Sequence, residues 1–502
     1  MYMVKSMNLR IIYGRAKTGK SQYIFEEVSS RIEQEDQIYI ITPEQFSFTA
    51  EKKLMNQIEK KAAVNAEVLT FDRMAYRVMS EVGGATKTHL SHTGKAMLLS
   101  SILDAQKENL KFLSRSDDNI EIVDTAITEF KKHKVGAADL EKAIEETGDQ
   151  YLKTKLNDLN IVYKEFEEKC HGQYIDENDA LTILSMQLEQ TNSFKNSVIY
   201  IDEFLGYTPQ EYEIIKKLLQ TAKEMIITIC IDDLEQNNHT EDLFYPSKIT
   251  YNKLLEIAGD VGAKIEYVCL PNTPHFQNNE LVHLEQNIAK PTYQKYMGNV
   301  EHIHLFLGLN QYTECDFIGE KIVSLVRDKN LRYKDIGIIT KDLGAYAYLM
   351  KAIFQKYNIP IFIDEKKELN SNPFIKYILS ILEIYTSYYS YETMFQYIKS
   401  GFLDCDPEDI FKLENYCIKW GIKSSKWKNE WEFGITDENT KKEVEYLNEL
   451  RKKIIEPLEQ LKLNLRQSKN GSDMVREFFY FMEENKVQEK LNDKIKKLEE
   501  SR

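Results

Sequence analysis

No stretch of about 18 or more apolar residues occurs in this 502-residue chain, which excludes a membrane-spanning helix. The opening "MYMVKSMNLR" has no apolar h-region for a secretory signal. Both absences predict a cytoplasmic protein with no membrane contact. Cysteine is sparse: Cys170, Cys230, Cys269, Cys315, Cys405 and Cys417 lie far apart, with no CxxC pair and no Cys/His grouping. Neither zinc nor an iron–sulfur cluster is readable from that spacing, and buried free thiols are the plain reading. Positive charge is also short, since 66 Lys and Arg against 80 Asp and Glu leave a net charge of −14. A chain coated in nucleic acid needs a local excess of Lys and Arg, so any DNA contact must use a local groove. No internal repeat, low-complexity tract or long linker is evident.

What is present is ordinary globular composition, with 42% hydrophobic and 29% charged residues. The length predicts three or four domains at roughly 100 to 200 residues each. Thirty tyrosines and twenty-three phenylalanines offer many aromatic faces, which either stack on unpaired bases or fill cores.

The most specific signal is near the start. Leu9 to Tyr13 are an apolar run suited to a buried parallel strand, and Gly14, Arg15, Ala16, Lys17, Thr18, Gly19, Lys20 and Ser21 then match G-x-x-x-x-G-K-[ST] in full. Helix-compatible "SQYIFEEVSSRIEQ" follows directly. Backbone N–H groups at such a helix start cradle phosphate oxygens. The two glycines let the backbone close up, Lys20 neutralises charge on the β and γ phosphates, and the Ser21 hydroxyl ligates Mg2+. ATP with Mg2+ is the expected ligand.

A phosphate-loop protein also needs a carboxylate at the end of a buried strand. "NSVIYIDEFLGYTPQEYEII" supplies one: Val198 to Ile201 are the strand, Asp202 falls at its C-terminal end to join the Mg2+ shell, and Glu203 follows where it could polarise water. The other reading is a strand that ends in a solvated acidic turn. Lys20 and Asp202 are 182 positions apart (202 less 20), so something sizeable is inserted between them, which disfavours small-molecule kinases. GTPases are disfavoured by the lack of N-K-x-D; "NKVQ" at Asn485 has no acid.

Further strands are expected at Gln37 to Ile41 and in "AEVLTF", each leading into helix-period sequence, which predicts a parallel sheet with helices on its faces. From about residue 86 to 195, "GKAMLLSSILDAQ", "IEIVDTAITEFKKHK" and "DALTILSMQLEQ" show i, i+3, i+4 apolar spacing, a helical insertion. The sheet resumes at Val198 and in "EMIITICID". A second α/β unit is expected to begin near residue 300 with "HLFLGL", followed by strands "DIGIIT" and "IPIFID". From about residue 373 the chain reads as mostly helical, and its ending at "DKIKKLEESR" predicts an incomplete polypeptide.

Two α/β units, each interrupted by helices, with the phosphate loop opening the first, is the plan of superfamily 1 helicases. Within that group "GRAKTGKS", "ITPEQFSFTAEKKL", "AEVLTFDRMAYRV", "HTGKAMLL", "IDEFLGYTPQEYEII", "LFYPSKITYNKL" and "IPIFIDEKKELNSNPFIKYI", in this order, closely resemble the AddB family. That family is one of the two chains of the ATP-dependent helicase/deoxyribonuclease, related to RexB. The resemblance covers essentially the whole chain and matches the family's N-terminal part. It implies helicase-like domain 1A at 1–85 plus 196–295, insertion 1B at 86–195, an incomplete second α/β domain 2A at 296–390 and an incomplete helical 2B at 391–502. It also suggests Met7 as the native start.

The resemblance implies a heterodimer with an AddA-type helicase/nuclease, which is the motor. The pair resects double-strand breaks for homologous recombination until a Chi sequence is met. The AddB chain then contributes Chi recognition, to which no residue here is assigned. It also carries a C-terminal nuclease with a 4Fe-4S cluster, whose ligands do not lie in this chain. A degenerate motor fits the residues: active relatives carry a Gln upstream of the phosphate loop to read adenine, and residues 1 to 20 contain none. They also carry a Gln after the acidic pair, where Phe204, Leu205 and Gly206 stand here. Lys17 stands where the family more often has Gly; its side chain either crowds the phosphates or adds positive charge.

The same resemblance places Thr42, Gln45 and Phe46, after the second strand, and Thr70, Phe71 and Arg73, after the third, along a groove for single-stranded DNA. Hydroxyls and amides bond phosphates, and an aromatic stacks a base for about 1 to 3 kcal/mol. Core packing is the alternative for Phe46 and Phe71, and pairing with Asp72 or a helix end for Arg73. "FKKHKVG", from Phe130 to Gly136, is either a contact to duplex phosphates or a solvated helix end. "DEKKE" at Asp364 to Glu368 reads as a surface turn. Three functions are therefore open: an ATP-binding DNA-processing chain without motor activity, an autonomous DNA-stimulated ATPase, and a structural partner of the AddA-type motor.

Overall fold

The computed structural model describes residues 8–32, 37–57, 65–84, 88–113, 119–171, 173–176, 179–234, 241–271, 276–290, 292, 294–365, 369 and 371–500. These form two compact units, 1–305 and 306–502.

The first unit is built on a six-stranded, wholly parallel sheet. Its strands are β1 (Asn8–Gly14), β2 (Ile38–Ile41), β3 (Ala66–Leu69), β6 (Val198–Ile201), β7 (Glu224–Cys230) and β8 (Lys264–Cys269), in the spatial order β3-β2-β6-β7-β1-β8. Two further strands, β4 (Thr88–Leu90) and β5 (Tyr174–Asp176), pair with each other separately. The sequences explain the order. "IYII" in β2 and "VIYI" in β6 are buried at every position, as strands covered on both faces must be. β8, "KIEYVC", is half-exposed and takes an edge.

Side-chain alternation divides the two faces. Tyr39, Ile41, Ile199, Ile201, Met225 and Ile227 point into one core, under the helices Phe71–Val82, Ala180–Gln187, Pro209–Thr221 and Tyr245–Val261. Ile38, Ile40, Val198, Tyr200 and Ile226 point into the other, under the helices Lys20–Ile32 and Glu44–Gln57. The chain is therefore α/β, with helices on both faces of a parallel sheet.

Between β3 and β6 the chain leaves the sheet. The helices His92–Ala105, Asn119–Lys132, Ala137–Glu146 and Gln150–Cys170 gather their own core around Leu99, Val123, Ile127, Val162 and Phe166. Beneath it lies a charged knot. The Lys95 and Lys131 ammonium groups, both buried, each stand 3.4 Å from Asp176 on β5. Asp124 pairs with Lys95 at 2.7 Å, while Asp179 and Glu167 pair with Lys131 at 2.7 and 2.8 Å. Burial works against the Lys131 charge, but these carboxylates outweigh it and raise its pKa. Within "FKKHKVG" the residues divide between the interior and a solvated surface. Lys131 is inside, Lys132 and His133 face Glu129, and Lys134 pairs with Glu213.

In the second unit the Tyr-rich segment forms the helices Pro373–Thr386 and Tyr391–Ile398, with Tyr377, Tyr389 and Tyr397 buried against Trp427, Trp431 and the long helix Glu438–Gln467. Here the aromatics fill a core. The strands expected in "HLFLGL", "DIGIIT" and "IPIFID" are not formed among the described residues. A parallel strand is held only by its neighbours, and these segments hydrogen-bond to none, leaving Leu305, Ile339 and Phe362 at least 90% exposed. In "DEKKE", Lys366 to Glu368 lie outside the described residues.

All six cysteines are free; Cys170, Cys315 and Cys417 are buried, whereas Cys269 is exposed. Among the described residues no helix is long and apolar enough to cross a membrane.

Candidate nucleotide site

The carboxyl ends of the parallel strands share one edge, and ligands of open α/β sheets bind there. β1 delivers Gly14 to that edge beside Cys230 of β7, and the helix Lys20–Ile32 leaves it again. The intervening loop is tight. A Cβ on Gly14 would lie 2.5 Å from the Leu270 carbonyl and 2.7 Å from Thr18 Oγ1, so only glycine fits. Gly19 takes φ +87°, and Lys17 takes φ +61° without being glycine. A left-handed conformation costs an L-residue roughly 1 to 2 kcal/mol, which explains why glycine suits position 17. The Lys17 side chain is exposed and lines the cavity, so it adds positive charge at the rim.

Among the described residues the main-chain N–H groups of Gly19, Lys20 and Ser21, at the helix start, donate to no main-chain carbonyl. A row of free N–H groups at a helix N-terminus is a phosphate cradle. Lys20 Nζ bridges the loop, donating to the carbonyls of Gly14 at 2.8 Å and Arg15 at 2.7 Å. Burial lowers the Lys20 pKa, opposed by the nearby Cys230, Asp202, Glu203 and Glu285. An ammonium desolvated in this way gains much from a polyanion.

Arg15 does not aim at the cradle. Its guanidinium donates to Glu285 Oε1 at 2.9 Å and to the Glu285 carbonyl at 2.8 Å, with the Phe244 ring 5.0 Å beneath it. Only the Arg15 backbone belongs to the loop.

The acidic pair arrives by a long route. β7 lies between β1 and β6, so Asp202 sits across one strand from the phosphate loop. Its carboxylate is buried and accepts from Thr228 Oγ1 at 2.5 Å. Burial raises the Asp202 pKa, hydrogen bonds from Thr228 and Ser21 hold it down, and the neighbouring Glu203 charge raises it again. Ser21 Oγ stands between the two carboxylates and donates to Glu203 Oε1 at 2.9 Å. Glu203 itself adopts φ +67°, a strained backbone of the kind that collects at functional sites. A solvated acidic turn would leave Asp202 in water, which it is not.

Together these groups line a cavity of about 740 Å³, in the size range of small-molecule sites. It fits a triphosphate: an anion cradle too tight for a side chain, one half-buried ammonium, and a hydroxyl beside two carboxylates. Among the described residues no cluster of three or more His, Cys, Asp or Glu could hold a metal alone. Mg2+ would therefore be held by Ser21 and Asp202 together with phosphate oxygens.

Sequence reasoning missed Thr228, Cys230 and Lys53 as lining residues. Thr228 had a signal, being the one hydroxyl in the apolar strand "EMIITIC". Lys53 had none, because the inward turn of its helix is visible only in the packing of Ala50 and Leu54.

The residues expected to line a DNA groove divide. Thr42 and Thr70 lie side by side at the carboxyl ends of β2 and β3, joined by the Thr42 N–H to Leu69 carbonyl bond of 3.0 Å. Both are buried; among the described residues Thr42 Oγ1 has no hydrogen-bond partner, and Thr70 caps the helix Phe71–Val82 by accepting from the Arg73 N–H. Gln45 and Phe46 are exposed in the first turn of the helix Glu44–Gln57. Phe71 is the correction: it is 4% exposed and packs edge-on against Phe204 at 5.6 Å, so it is core and offers no face to a base. The Arg73 guanidinium pairs with Glu51 at 2.5 Å.

Comparison with known proteins agrees with this architecture. The family described as "ADDB, N-terminal" matches residues 11–285, more than half of the chain. The chain is 38% identical to the B subunit of the ATP-dependent helicase/deoxyribonuclease of Clostridium botulinum (strain Loch Maree / Type A3), over 97% of its own length and 44% of that protein's. It is 38% identical to the protein of the same name from Caldanaerobacter subterraneus subsp. tengcongensis, over 97% and 43% of the two lengths. The Clostridium tetani protein, also so named, is 37% identical over 98% and 45%. The chain thus spans less than half the length of these curated relatives, and on the family match over more than half of its residues it belongs to the AddB family.

Proposed function

We propose that this chain is the nucleotide- and DNA-binding N-terminal part of the AddB component of a two-chain ATP-dependent helicase/deoxyribonuclease, and that its phosphate-loop unit binds ATP without acting as a motor. The observation that carries the reading is the convergence of Lys20, Ser21, Asp202, Glu203 and Thr228 on one cavity at the carboxyl edge of the sheet. The names of the relatives support a partner chain and action on DNA; that the partner is an AddA-type helicase/nuclease and that the DNA is both double- and single-stranded are part of this proposal.

In this reading the loop N–H groups and Lys20 bind phosphate oxygens, Lys20 leaving the Gly14 and Arg15 carbonyls to do so. Thr228 orients the Asp202 carboxylate and opposes the rise that burial gives its pKa, and Ser21 and Asp202 would hold Mg2+. Bound Mg2+ supplies charge neutralisation on the phosphates. Glu203 is then free to accept a proton from water. Motor activity is not expected, because residues 1 to 20 carry no Gln to read adenine and because Leu205 and Gly206 follow the acidic pair where active relatives carry Gln. The AddA-type partner would supply translocation in the cytoplasm during double-strand break resection. Chi recognition would fall to the AddB chain, with no residue here assigned to it, and Gln45, Phe46 and Arg73 would be the exposed members of the single-strand groove.

A second reading, an autonomous DNA-stimulated ATPase, is favoured by the Glu203 carboxylate beside Ser21. One experiment separates them: ATP binding and hydrolysis by the purified chain, with and without single-stranded DNA, against Lys20→Ala. We expect binding that weakens by about 1.5 to 3 kcal/mol in the variant, with negligible turnover in either protein. DNA-stimulated hydrolysis abolished by Lys20→Ala would establish a motor. Absence of nucleotide binding in the parent would leave only a structural role beside the AddA-type partner.

A further inference from the structure

The second unit holds all three tryptophans of the chain, at positions 420, 427 and 431, in a stretch where lysine and aromatic residues alternate. Residues 417 to 428, "CIKWGIKSSKWK", carry four lysines and no acid, in a chain whose net charge is −14. Two of the tryptophans are structural. Trp427 and Trp431 are almost wholly buried, and the helix Glu438–Gln467 fixes the loop that bears them. Arg451 donates to the Trp427 carbonyl at 2.9 Å, and Asn448 exchanges two bonds of 2.9 Å with the Trp431 main chain.

Trp420 differs. It ends the helix Pro407–Trp420, is partly exposed, and stacks on Phe433 with ring centroids 5.9 Å apart and planes 20° from parallel. Phe433 is 41% exposed. Gly434, at φ +83°, lies against the indole, where a Cβ would come within 2.8 Å of Trp420 Cζ2. The two rings form one wall of a cleft of about 270 Å³, lined also by Lys412, Asn415, Lys419 and Glu443. That volume admits a single planar ring, not a duplex.

The charge around the cleft is free to act. Lys426 is committed, donating to the Trp420 and Gly421 carbonyls at 3.2 and 3.0 Å. Among the described residues Lys419 and Lys423 have no carboxylate within ion-pair distance, and Lys412 reaches Asp409 only at 4.0 Å. The Lys419 ammonium lies 5.3 Å over the Trp420 ring, a position it can leave for a phosphate.

We propose that this cleft binds one unpaired base of a single-stranded nucleic acid, stacked at the Trp420–Phe433 pair, with Lys412, Lys419 and Lys423 holding the adjoining phosphates. An aromatic platform beside unpaired lysines is the general recipe for sequence-tolerant single-strand binding. Asn415 and Glu443 present both donor and acceptor groups to a base edge. The site uses no residue of the phosphate-loop unit and does not require nucleotide there.

The test is tryptophan fluorescence of the full chain titrated with oligodeoxythymidylate and with an abasic strand of equal length. Trp420 is the one tryptophan open to solvent, so quenching reports this cleft and no other. The expected result is saturable, salt-sensitive quenching by the oligonucleotide and little by the abasic strand. Trp420→Ala should weaken binding, read by anisotropy, roughly 5- to 150-fold, and Trp420→Phe should restore most of it. The paired surface changes Lys419→Glu and Lys423→Glu, which touch no core, should abolish the quenching. Lys20→Ala should leave it intact, which separates this site from the nucleotide reading. Binding without quenching, equal quenching by the abasic strand, quenching that survives both lysine changes, or no binding at all would overturn the proposal.

Discussion

Replacing Thr228 by valine removes one hydroxyl and almost no volume, so its effect isolates a single hydrogen bond. In the parent that hydroxyl donates to Asp202 Oδ1 at 2.5 Å, and both residues are only 4% exposed. A hydrogen bond to a buried charge is worth about 1.5 to 3 kcal/mol. The variant should lose that much when Asp202 is ionised and much less when it is protonated. The direction with pH follows. Burial already holds the folded-state pKa of Asp202 above its ordinary 3.8, so the folded protein binds the more protons between those two values. Stability contributed by this group therefore falls as pH rises through the folded pKa, and the loss of Thr228 deepens the fall. The assay is urea unfolding from about pH 8 down to about pH 4, followed by far-ultraviolet circular dichroism for the whole chain and by tryptophan fluorescence for the second unit. All three tryptophans lie beyond residue 306, so the fluorescence transition is an internal control that should not move. A stability loss of equal size at both ends of the pH range would refute the reasoning, because Thr228 would then be acting through packing alone.

Two further outcomes are expected. Lys17→Gly should relieve the left-handed strain of roughly 1 to 2 kcal/mol, partly offset by the greater freedom of glycine in the unfolded chain, so the thermal midpoint should hold or rise. Nucleotide affinity measured by calorimetry should nonetheless fall several-fold, because a rim charge is lost. Asp176→Asn should destabilise the first unit by about 3 to 5 kcal/mol, since Lys95 and Lys131 both lean on that carboxylate from inside the fold. Chemical denaturation read by circular dichroism tests it, and a loss below about 1 kcal/mol would show that Asp124, Asp179 and Glu167 suffice.

The parts legible in the sequence were those whose cause is local. Gly14 to Ser21 could be read because strand, tight loop and helix follow one another within a few turns of chain. The buried strands β2 and β6 announced themselves as continuous apolar runs. What misled was local sequence with a distant cause. Lys131 looks like a solvent or phosphate contact in "FKKHKVG", yet three carboxylates from elsewhere in the chain draw it inside. Phe71 looks available after a strand, yet Phe204, which follows the acidic pair, covers it. "DIGIIT" and "IPIFID" have strand composition, but composition cannot supply the neighbours that a parallel strand needs.

By itself, then, the sequence determined the α/β class, the phosphate cradle and the identities of Lys20, Ser21, Asp202 and Glu203, because backbone geometry and apolar periodicity act over a few residues. Tertiary structure decided which of them meet. β7 slides between β1 and β6, and only that crossover sets Thr228 against Asp202 and Ser21 between two carboxylates. It also turned Arg15 away toward Glu285, 270 residues on, and left Trp420 open while burying Trp427 and Trp431. Strand order and burial are set by the packing of the whole unit, so no local stretch of the chain encodes them.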